Sequence, residues 1–572
     1  MRYRLAILLI CAGTSSAAAQ PGGARGLVPC RGQRIDSVIV DAQAPTVAGL
    51  SRVPVLGNVV RETHVVTRED VVRGYLLLRV GDRCTELRRA ESERILRAQP
   101  YLADASIEVL SNNRGGVVLD VRTIDEASLI LSGAIGTVGP NVRAARIGSS
   151  NLAGRGIATS IAWRYRQYFD DVMQIRIADH QFAGKPYVLA VSLLRDPLGR
   201  DDRAELMLPF RTDVQRFAWR GVVGESRGHA LFAARDSGRL ALGYGREYAE
   251  LGGMVRVGPP GKLTLFGLSF TNERAFPDTA AARVTDVGLF SDTASAFGGR
   301  FMETRAARVN ALLGLRGLRY MRTRAIDALR GTQDVPLGLQ FGALVGRGVP
   351  ALGAVSNDLF VASDLYLGYG SPGRIVRLQF QGEGRRQRGS GEWDGLVGTG
   401  RLARHSRVTD RRTRSVTVEW SGTSRVLMPH ALSLGVPEGG VRGFREEESS
   451  VGGRRAVARI EERVFLGTPF DFGDFGFSVF SDAGRLWPGD VPYGDVTQIR
   501  VSAGASVLLA IPMRSTRTWR LEFAVPLNKL PGMSPWELRL SHRDLTTFFW
   551  REPVDVDAAR ARAVPASIYN WP

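Results

Sequence analysis

The sequence predicts a mainly β protein in which a small α/β domain precedes a closed antiparallel β-barrel that crosses a membrane. Three observations support this prediction. Short segments of alternating apolar and polar residues recur from 126 to 550, with turn residues between them, as in barrel strands. Residues 1–19 have the pattern of an export signal. No run of eighteen or more apolar residues follows that signal, so strands rather than helices are the expected means of crossing.

Residues 1–19 have the pattern of a secretory signal peptide. Two arginines precede an apolar run at 5–12, and small residues follow it up to residue 19, which is the usual order of charge, core and cleavage site. A lipidated Cys11 is the rejected alternative, because Ile10 stands where a small residue is required. We therefore expect an exported chain that begins near residue 20.

Two cysteines, Cys30 and Cys84, remain after the signal is removed. In an oxidising periplasm, two cysteines in one small domain favour a disulfide. The alternative is a pair of unpaired buried thiols.

The chain is strongly basic, with 76 Lys and Arg against 57 Asp and Glu and a net charge of +19. Nucleic acid is one partner that such a balance indicates. Export argues against it, and the charges are scattered through alternating segments rather than clustered. We expect arginines that face a barrel lumen or lie in loops, with contact to lipopolysaccharide phosphates as a further expectation and no nucleic acid partner.

Residues 34–125 predict a small mixed domain with the order β-α-α-β-β. An Asn-Asn-Arg-Gly-Gly turn at 112–116 separates its last two strands. The predicted elements are a strand at Arg34–Val40, helices at Thr67–Leu78 and Glu86–Gln99, and strands at Ala105–Leu110 and Val117–Arg122.

Residues 126–550 predict the barrel. Five strands follow residue 455: Ala456–Phe465, Phe475–Gly484, Arg500–Leu508, Trp519–Pro526 and Trp536–Ser541. Fourteen candidates precede residue 436, among them Ile157–Trp163, Met173–Ala178, Val188–Leu194, Leu263–Phe270, Leu337–Val345, Ile375–Phe380 and Val416–Trp420. Residues 551–572 follow the last strand as a tail with no predicted role.

Two short motifs near the C-terminus carry a family resemblance. Residues 439–444 are Gly-Gly-Val-Arg-Gly-Phe, and residues 480–484 are Phe-Ser-Asp-Ala-Gly. Together they resemble the signature of the BamA/TamA-type outer-membrane assembly-factor superfamily, also called the bacterial surface antigen family. Ser150–Gly156 resembles the segment that joins the first two barrel strands in that superfamily. The domain at 34–125, with Val80-Gly81-Asp82 before its second helix, resembles a single POTRA domain.

The resemblance implies a sixteen-stranded barrel in the outer membrane, with the POTRA domain in the periplasm. Its motif loop, near 436–455, would follow strand eleven and leave five strands, which agrees with the five that the pattern predicts. Fourteen candidates before the loop then exceed the implied eleven. We therefore expect the surplus in Arg203–Glu247 and Asp278–Arg308, as long external loops.

The resemblance also implies a site in the barrel lumen. Asp482 is the implied partner of Arg442, whose guanidinium can grip a carboxylate with two hydrogen bonds. Alternation places Phe480, Asp482 and Gly484 on one face, and lipid would reject that carboxylate, so the face should line the lumen. The alternative is a surface arginine with no fixed partner. The site comprises Val441, Arg442, Gly443 as a permissive turn residue, Phe444 as a packing anchor, Asp482 and Gly484.

Barrel closure predicts a seam between the first strand, near 129–135, and the last, near 536–541. Glycines at 133 and 136 lower the strand propensity of the first segment. We expect a loosely paired seam whose exposed edges could template an incoming strand. Its predicted residues are Leu129, Ile130, Leu131, Gly133, Trp536, Leu538 and Leu540.

By resemblance, the chain would insert or translocate polypeptides at the outer membrane, without cofactor, metal or enzymatic activity. Its partners would be unfolded outer-membrane or exported polypeptides, outer-membrane lipid and lipopolysaccharide, and periplasmic chaperones or accessory proteins. A passive pore or structural barrel without a polypeptide client is the alternative. The chain departs from the family plan in having one POTRA copy and the tail after the last strand.

Two motifs bear on a third alternative, an enzyme. Gly224–Gly228 matches the G-x-S-x-G pattern of hydrolases, but it lies among alternating β-segments, whereas that motif needs a strand-to-helix turn. Gly368–Gly373 matches G-x-G-x-x-G, but a strand follows it, which indicates a hairpin turn. The six histidines are dispersed, so no metal site is expected.

Overall fold

The computed structural model describes residues 26–45, 64–112, 115–136, 142–165, 172–197, 199–234, 238–285, 288–292, 297, 300–355, 357–436, 439–444, 450–529, 533–543 and 549–561. The predicted signal peptide and residues 562–572 lie outside these ranges. No helix within the described part of the chain has the length and apolar character needed to cross a membrane.

In the N-terminal domain, residues 26–125, the described positions form a four-stranded sheet with two helices. Its sheet order is β2-β1-β4-β3, with β1 and β4 parallel and β3 and β4 antiparallel. The elements are β1 (Arg31–Gln43), α1 (Glu69–Arg73), β2 (Arg83–Thr85), α2 (Glu86–Arg97), β3 (Leu102–Ser111) and β4 (Val117–Asp125).

This domain corrects the sequence prediction in two places. The first helix ends at Arg73 rather than Leu78, because the chain then turns and packs Tyr75 and Leu78 into the core instead of continuing the helical register. A short strand, β2, was not predicted; it pairs with β1 at the sheet edge. The second helix begins as expected at Glu86, with arginines in its last turn, where they complement the helix dipole.

Twenty antiparallel strands close into a barrel within the described residues. They are β5 (Leu129–Gly136), β6 (Val142–Leu152), β7 (Ile157–Arg164), β8 (Val172–Phe182), β9 (Tyr187–Asp196), β10 (Gly199–Leu208), β11 (Phe217–Ala234), β12 (Gly238–Val257), β13 (Leu263–Pro277), β16 (Thr304–Arg324), β17 (Thr332–Gly348), β18 (Leu359–Ser371), β19 (Arg374–Arg386), β20 (Trp393–Thr409), β21 (Arg412–Ser424), β24 (Arg454–Gly467), β25 (Asp474–Trp487), β26 (Arg500–Ala510), β27 (Thr518–Pro526) and β28 (Glu537–Arg543).

Three shorter elements complete the structure. A hairpin of β14 (Ala281–Thr285) and β15 (Gly288–Asp292) extends the barrel wall beyond β13. The pair β22 (Leu432–Ser433) and β23 (Val451–Gly452) lies in the loop between β21 and β24. One helix, α3 (Val554–Ala559), follows the last strand.

The prediction of sixteen strands was wrong. Five strands follow the motif loop, as expected, but fifteen precede it rather than eleven. Arg203–Glu247 is not an external loop; it contains most of β10, all of β11 and part of β12. Asp278–Arg308 does hold the β14–β15 hairpin, and β16 begins within it.

The reason lies in the charged residues of these strands, which face the lumen and form ion pairs with residues on the neighbouring strands. Arg220 on β11 donates to Glu205 on β10 at 2.6 Å and to Glu250 on β12 at 2.6 Å. Buried charges are tolerated when they are paired and hydrogen-bonded. Charge in this region therefore indicates lumen-facing strand positions rather than loops.

The two faces of the wall differ as a membrane barrel requires. On β16, Val309, Leu313 and Leu315 point outward and are about half exposed, whereas Asn310 and Arg316 point inward and are buried. Apolar residues outside and polar residues inside, in strict alternation, are typical of transmembrane barrels.

The N-terminal domain packs on one end of the barrel, here called the domain end; the opposite end is the distal end. Arg97 on α2 makes a bidentate pair with Asp334 at 2.8 and 2.9 Å, and Glu93 accepts from Arg322 at 2.9 Å. The Ser150–Gly156 segment also lies at this end. It joins the second and third barrel strands rather than the first two, because β5 already occupies 129–136.

Candidate functional site

The loop between β21 and β24, described at residues 425–436, 439–444 and 450–453, starts at the distal end and folds into the lumen. We call it the lumen loop. Its motif residues Val441 and Phe444 are 2% and 3% exposed, and both belong to an apolar cluster with wall residues such as Val457 and Leu486. The Val441 amide donates to the Leu434 carbonyl at 2.7 Å, which ties the motif to the start of the loop.

Arg442 contacts Asp482 on β25 through three hydrogen bonds. Its Nε and Nη2 donate to the two carboxylate oxygens at 2.8 and 2.7 Å, and its backbone amide donates at 3.2 Å. Its guanidinium also stacks on the Phe480 ring, 3.4 Å from the centroid. The alternation argument for one lumen face therefore agrees with where Phe480 and Asp482 lie.

Further carboxylates and arginines surround this pair. Arg442 Nη1 donates to Glu522 on β27 at 3.1 Å and lies 3.6 Å from Glu461 on β24. Arg520 donates to Glu461 at 2.8 Å, and Arg459 donates to the Gly440 carbonyl at 2.7 Å. The sequence prediction named only Asp482; the two glutamates were missed, although each is a charged residue within an alternating strand.

Two glycines of the site are required by geometry. Gly443 has a φ of +84°, which only glycine adopts readily. Gly484 allows a close approach, because a Cβ there would lie 2.6 Å from Val441 Cγ2. The absence of a side chain at Gly484 therefore leaves space in the barrel wall for Val441 of the lumen loop.

Residues 549–561, here called the tail segment, also lie in the lumen. Asp555 on α3 forms a bidentate pair with Arg455, with the Nη2 to Oδ1 bond at 3.0 Å, and it accepts from the Ser433 amide at 3.2 Å. Val556 and Ala559 belong to the same apolar cluster as Val441 and Phe444. The tail segment therefore packs directly against the lumen loop.

The tail segment reaches several parts of the barrel wall. Arg560 pairs with Glu552 at 2.7 Å and with Glu383 on β19 at 3.3 Å. Arg246 on β12 donates to the Arg560 carbonyl at 3.0 Å. Arg246 lies on β12, the eighth barrel strand, and Arg455 lies on β24, the sixteenth. The contacts of the tail segment with these two arginines therefore join nearly opposite sides of a twenty-stranded ring. The sequence prediction set no role for residues after 550 and extended the barrel to 550, whereas β28 ends at Arg543.

The seam between β28 and β5 has a short ladder. Gly133–Gly136 pairs with Glu537–Leu540, four residues on each side. The next ladder, between β27 and β28, joins Thr518–Ala524 to seven residues. Of the predicted seam residues, Gly133, Leu538 and Leu540 lie in this ladder.

The remaining predicted seam residues lie beside that ladder. Leu129, Ile130 and Leu131 extend β5 toward the domain end, where they pair with β6. Trp536 immediately precedes β28, and its ring packs on Phe523 at a centroid distance of 5.8 Å.

A disulfide joins Cys30 to Cys84, with 5.1 Å between their Cα atoms. Both cysteines are buried in the domain core. The bridge connects the residue before β1 to β2, which explains why the two strands can pair at the edge of the sheet.

The motifs considered for other chemistry lie within ordinary barrel elements. Gly224–Gly228 lies in the middle of β11 rather than at a strand-to-helix turn, and Gly368–Gly373 spans the β18–β19 hairpin. Among the described residues, no group of three or more His, Cys, Asp or Glu side chains could hold a metal ion.

Comparison with known proteins yields structural likeness alone. No protein-family model matches the chain, and no curated protein matches it. Solved structures that resemble it include CdiB from Escherichia coli, at 14% identity and a TM-score of 0.43, covering 89% of this chain and 76% of that one. BamA from Haemophilus ducreyi lacking POTRA domains 1–3 gives 12% identity and a TM-score of 0.35, covering 89% and 85%.

An outer-membrane barrel of another kind is also similar. The alcaligin outer-membrane receptor FauA from Bordetella pertussis gives 12% identity and a TM-score of 0.28, covering 76% of this chain and 81% of that one. At these identities and TM-scores the similarities carry no argument about function.

Proposed function

We propose that this chain is an outer-membrane barrel of the BamA/TamA type that inserts or translocates polypeptides by strand templating. The domain end would face the periplasm and the distal end the cell exterior. The outward apolar face supports a membrane location. The motif residues that suggested the superfamily occupy one lumen site, as Arg442 and Asp482 contact each other there.

The short seam is the observation that carries the proposal. Four paired residues hold β28 to β5, and both Gly133 and Gly136 lie among them. A short ladder containing two glycines costs little to open. Opening it would expose unpaired backbone N–H and C=O groups to an incoming strand, as in β-augmentation.

The contents of the lumen argue against the alternative of a passive pore. The lumen loop and the tail segment both lie inside the barrel, and buried ion pairs such as Arg455–Asp555 hold them there. An open aqueous channel needs a clear path between the two ends.

A disulfide across the seam tests the mechanism. Ile135 and Leu538 are directly opposite, so Ile135→Cys with Leu538→Cys should lock β5 to β28. The matched control is Phe523→Cys with Leu538→Cys, which uses the same Leu538 position to lock the adjacent β27–β28 junction. In cells that depend on the variant, outer-membrane barrel levels and exported polypeptide are measured with and without oxidant.

We expect the seam lock to abolish client insertion or export while the control pair retains it. Both variants should migrate as folded barrels. A seam-locked protein with full activity would reject the templating mechanism.

Depletion of the chain separates the proposal from a passive pore. Selective loss of outer-membrane barrels or of an exported polypeptide supports polypeptide handling. Unchanged barrels together with altered solute uptake would favour the pore.

A further inference from the structure

A recess interrupts the outward face of the barrel near its distal end. Three glycines, Gly382, Gly398 and Gly422, lie directly opposite one another on β19, β20 and β21. A Cβ at Gly398 would meet no atom within 4 Å. We call this recess the glycine bay.

Aromatic side chains wall the glycine bay. Phe380 and Trp420 lie on its side nearer the barrel middle, and Trp487 lies at its far side, each a little over one-third exposed. Together with the glycine backbone they enclose about 490 Å³. An apolar slot of this size on a lipid-facing wall fits an acyl chain.

Two arginines on the same outward face border the bay. Arg454 on β24 pairs with Gly422 on β21 on one side and with Trp487 on β25 on the other. Arg485 stacks on Trp487, with 5.4 Å to the ring centroid. Neither forms an ion pair with a carboxylate among the residues that the structure describes. Guanidinium groups on the lipid face of a barrel are costly unless an anion compensates them.

We propose that the glycine bay is a binding site for an anionic phosphoglycolipid of the outer leaflet. An acyl chain would fill the slot, and Arg454 and Arg485 would bind a headgroup phosphate through charge-assisted hydrogen bonds. The site rests on the proposed outer-membrane location. It would fix lipid against the strands that carry the lumen loop, since β21 and β24 flank that loop in the chain.

Native mass spectrometry of the full-length protein in detergent tests the site. The probes are bis-phosphorylated lipid A, the same lipid after dephosphorylation, and inorganic phosphate. Gly398→Leu fills the bay without changing charge, and Arg454→Gln with Arg485→Gln removes the charge without filling it. Arg347→Gln is the matched control, because this exposed arginine lies outward on β17, two strands away from β19 at the edge of the bay.

We expect the wild type and Arg347→Gln to retain bis-phosphorylated lipid A, and both bay variants to lose at least tenfold in occupancy. Equal retention in all variants, or competition by inorganic phosphate as strong as by the lipid, would overturn the proposal. The seam-lock assay is independent of this outcome, so a failure here leaves the templating proposal unaffected.

A second inference comes from the tail segment, whose contacts connect nearly opposite walls. The geometry points to an intramolecular plug: α3 closes the lumen and supports the lumen loop from below. Asp555 holds both the Ser433 amide of the loop and Arg455 of the wall. Pro553 packs closely against Gly439 of the loop: a Cβ added to Gly439 would lie 2.2 Å from Pro553 Cγ. A polypeptide that passes through the lumen would have to displace this plug.

Conductance in planar bilayers tests the plug on the full barrel. Asp555→Ala removes the anchor, and Asp557→Ala is the charge-matched control on the exposed side of the same helix. Removal of residues 544–572 deletes the plug altogether. Heat-modifiable migration in gels shows whether each variant is folded.

We expect several-fold higher conductance for Asp555→Ala and for the truncated barrel, with Asp557→Ala unchanged. A Ser433→Cys reporter should become accessible to a bulky maleimide only when Asp555 is also replaced. A folded truncated barrel with wild-type conductance would overturn the plug, as would a Ser433→Cys reporter that stays protected without Asp555.

Discussion

Arg442 is the residue on which the lumen site depends. It contacts Asp482 and Glu522 and lies near Glu461, so its removal takes the nearest cation from Asp482 and leaves the two glutamates with Arg520. We expect Arg442→Ala to lower the free energy of unfolding by about 1–3 kcal/mol, and Asp482→Ala to cost less, because Arg442 keeps its glutamates. The double variant should be little worse than Arg442→Ala alone in urea unfolding; fully additive losses would mean that the two residues do not interact.

Gly484 makes room for Val441. Gly484→Ala places a methyl group 2.6 Å from Val441 Cγ2, and overpacking of this kind costs about 1–3 kcal/mol. We expect the variant to loosen the lumen loop, measured as increased hydrogen exchange at Val441 and Phe444. Adding Val441→Ala should restore protection elsewhere in the loop, whereas Gly398→Ala, in open space, should have no effect on it.

At the scale of elements, the disulfide fastens β2 to the start of β1 across a separation of 54 residues. Such a bridge restricts the unfolded chain and stabilises a domain by about 2–4 kcal/mol. We expect Cys30→Ser with Cys84→Ser to lower the stability of the N-terminal domain by this amount, measured by pulse proteolysis in urea. The barrel, which the bridge does not touch, should unfold as in the wild type; an unchanged domain would contradict the prediction.

At the scale of the whole molecule, α2 docks the domain on the barrel through charged groups. Burial opposes ionisation of Glu91, but Arg94 at 2.9 Å and the Thr212 hydroxyl overcome it, so its pKa lies below the ordinary value. Asp213, nearby on the barrel side, acts in the opposite direction. The Arg94 guanidinium also donates to the Arg211 carbonyl at 2.7 Å. Because Arg94 lies on the same helix as Glu91, the lowered pKa means that the ionised form of Glu91 stabilises the folded protein relative to the unfolded chain.

A carboxyl whose pKa is lower in the folded protein than in the unfolded chain contributes stability above its unfolded pKa of about 4.3 and loses it as the pH falls through the folded value. We expect the contribution of Glu91 to the free energy of unfolding to be constant from pH 7 to 5 and to shrink below about pH 4. Urea unfolding of the N-terminal domain across this pH range, followed by pulse proteolysis, measures the change. Glu91→Gln should remove part of the pH dependence; an identical pH profile in that variant would assign the effect to other groups.

The period of two along each strand is local, so the alternating pattern was sufficient to predict strands at Leu263–Phe270 and Phe475–Gly484, which lie within β13 and β25, and to place Asp482 on the lumen face. The family resemblance likewise implied that Arg442 contacts Asp482. The number of strands could not be predicted from this local pattern. Charged segments such as Arg203–Glu247 resemble loops until Arg220 is seen between Glu205 and Glu250, because only the pairing of neighbouring strands brings those three side chains together.

The sequence by itself determined the β class, the α/β domain ahead of the barrel, the five strands after the lumen loop and the motif residues that meet in it. Only the tertiary structure decided the ring of twenty strands, the four-residue seam and the position of the tail segment. Asp555 and Arg455 are separated by a hundred residues, and nothing in the intervening pattern indicates that they meet. Local periodicity indicates which face of a strand is buried. Which residues meet across the lumen depends on how many strands lie between them in the barrel wall.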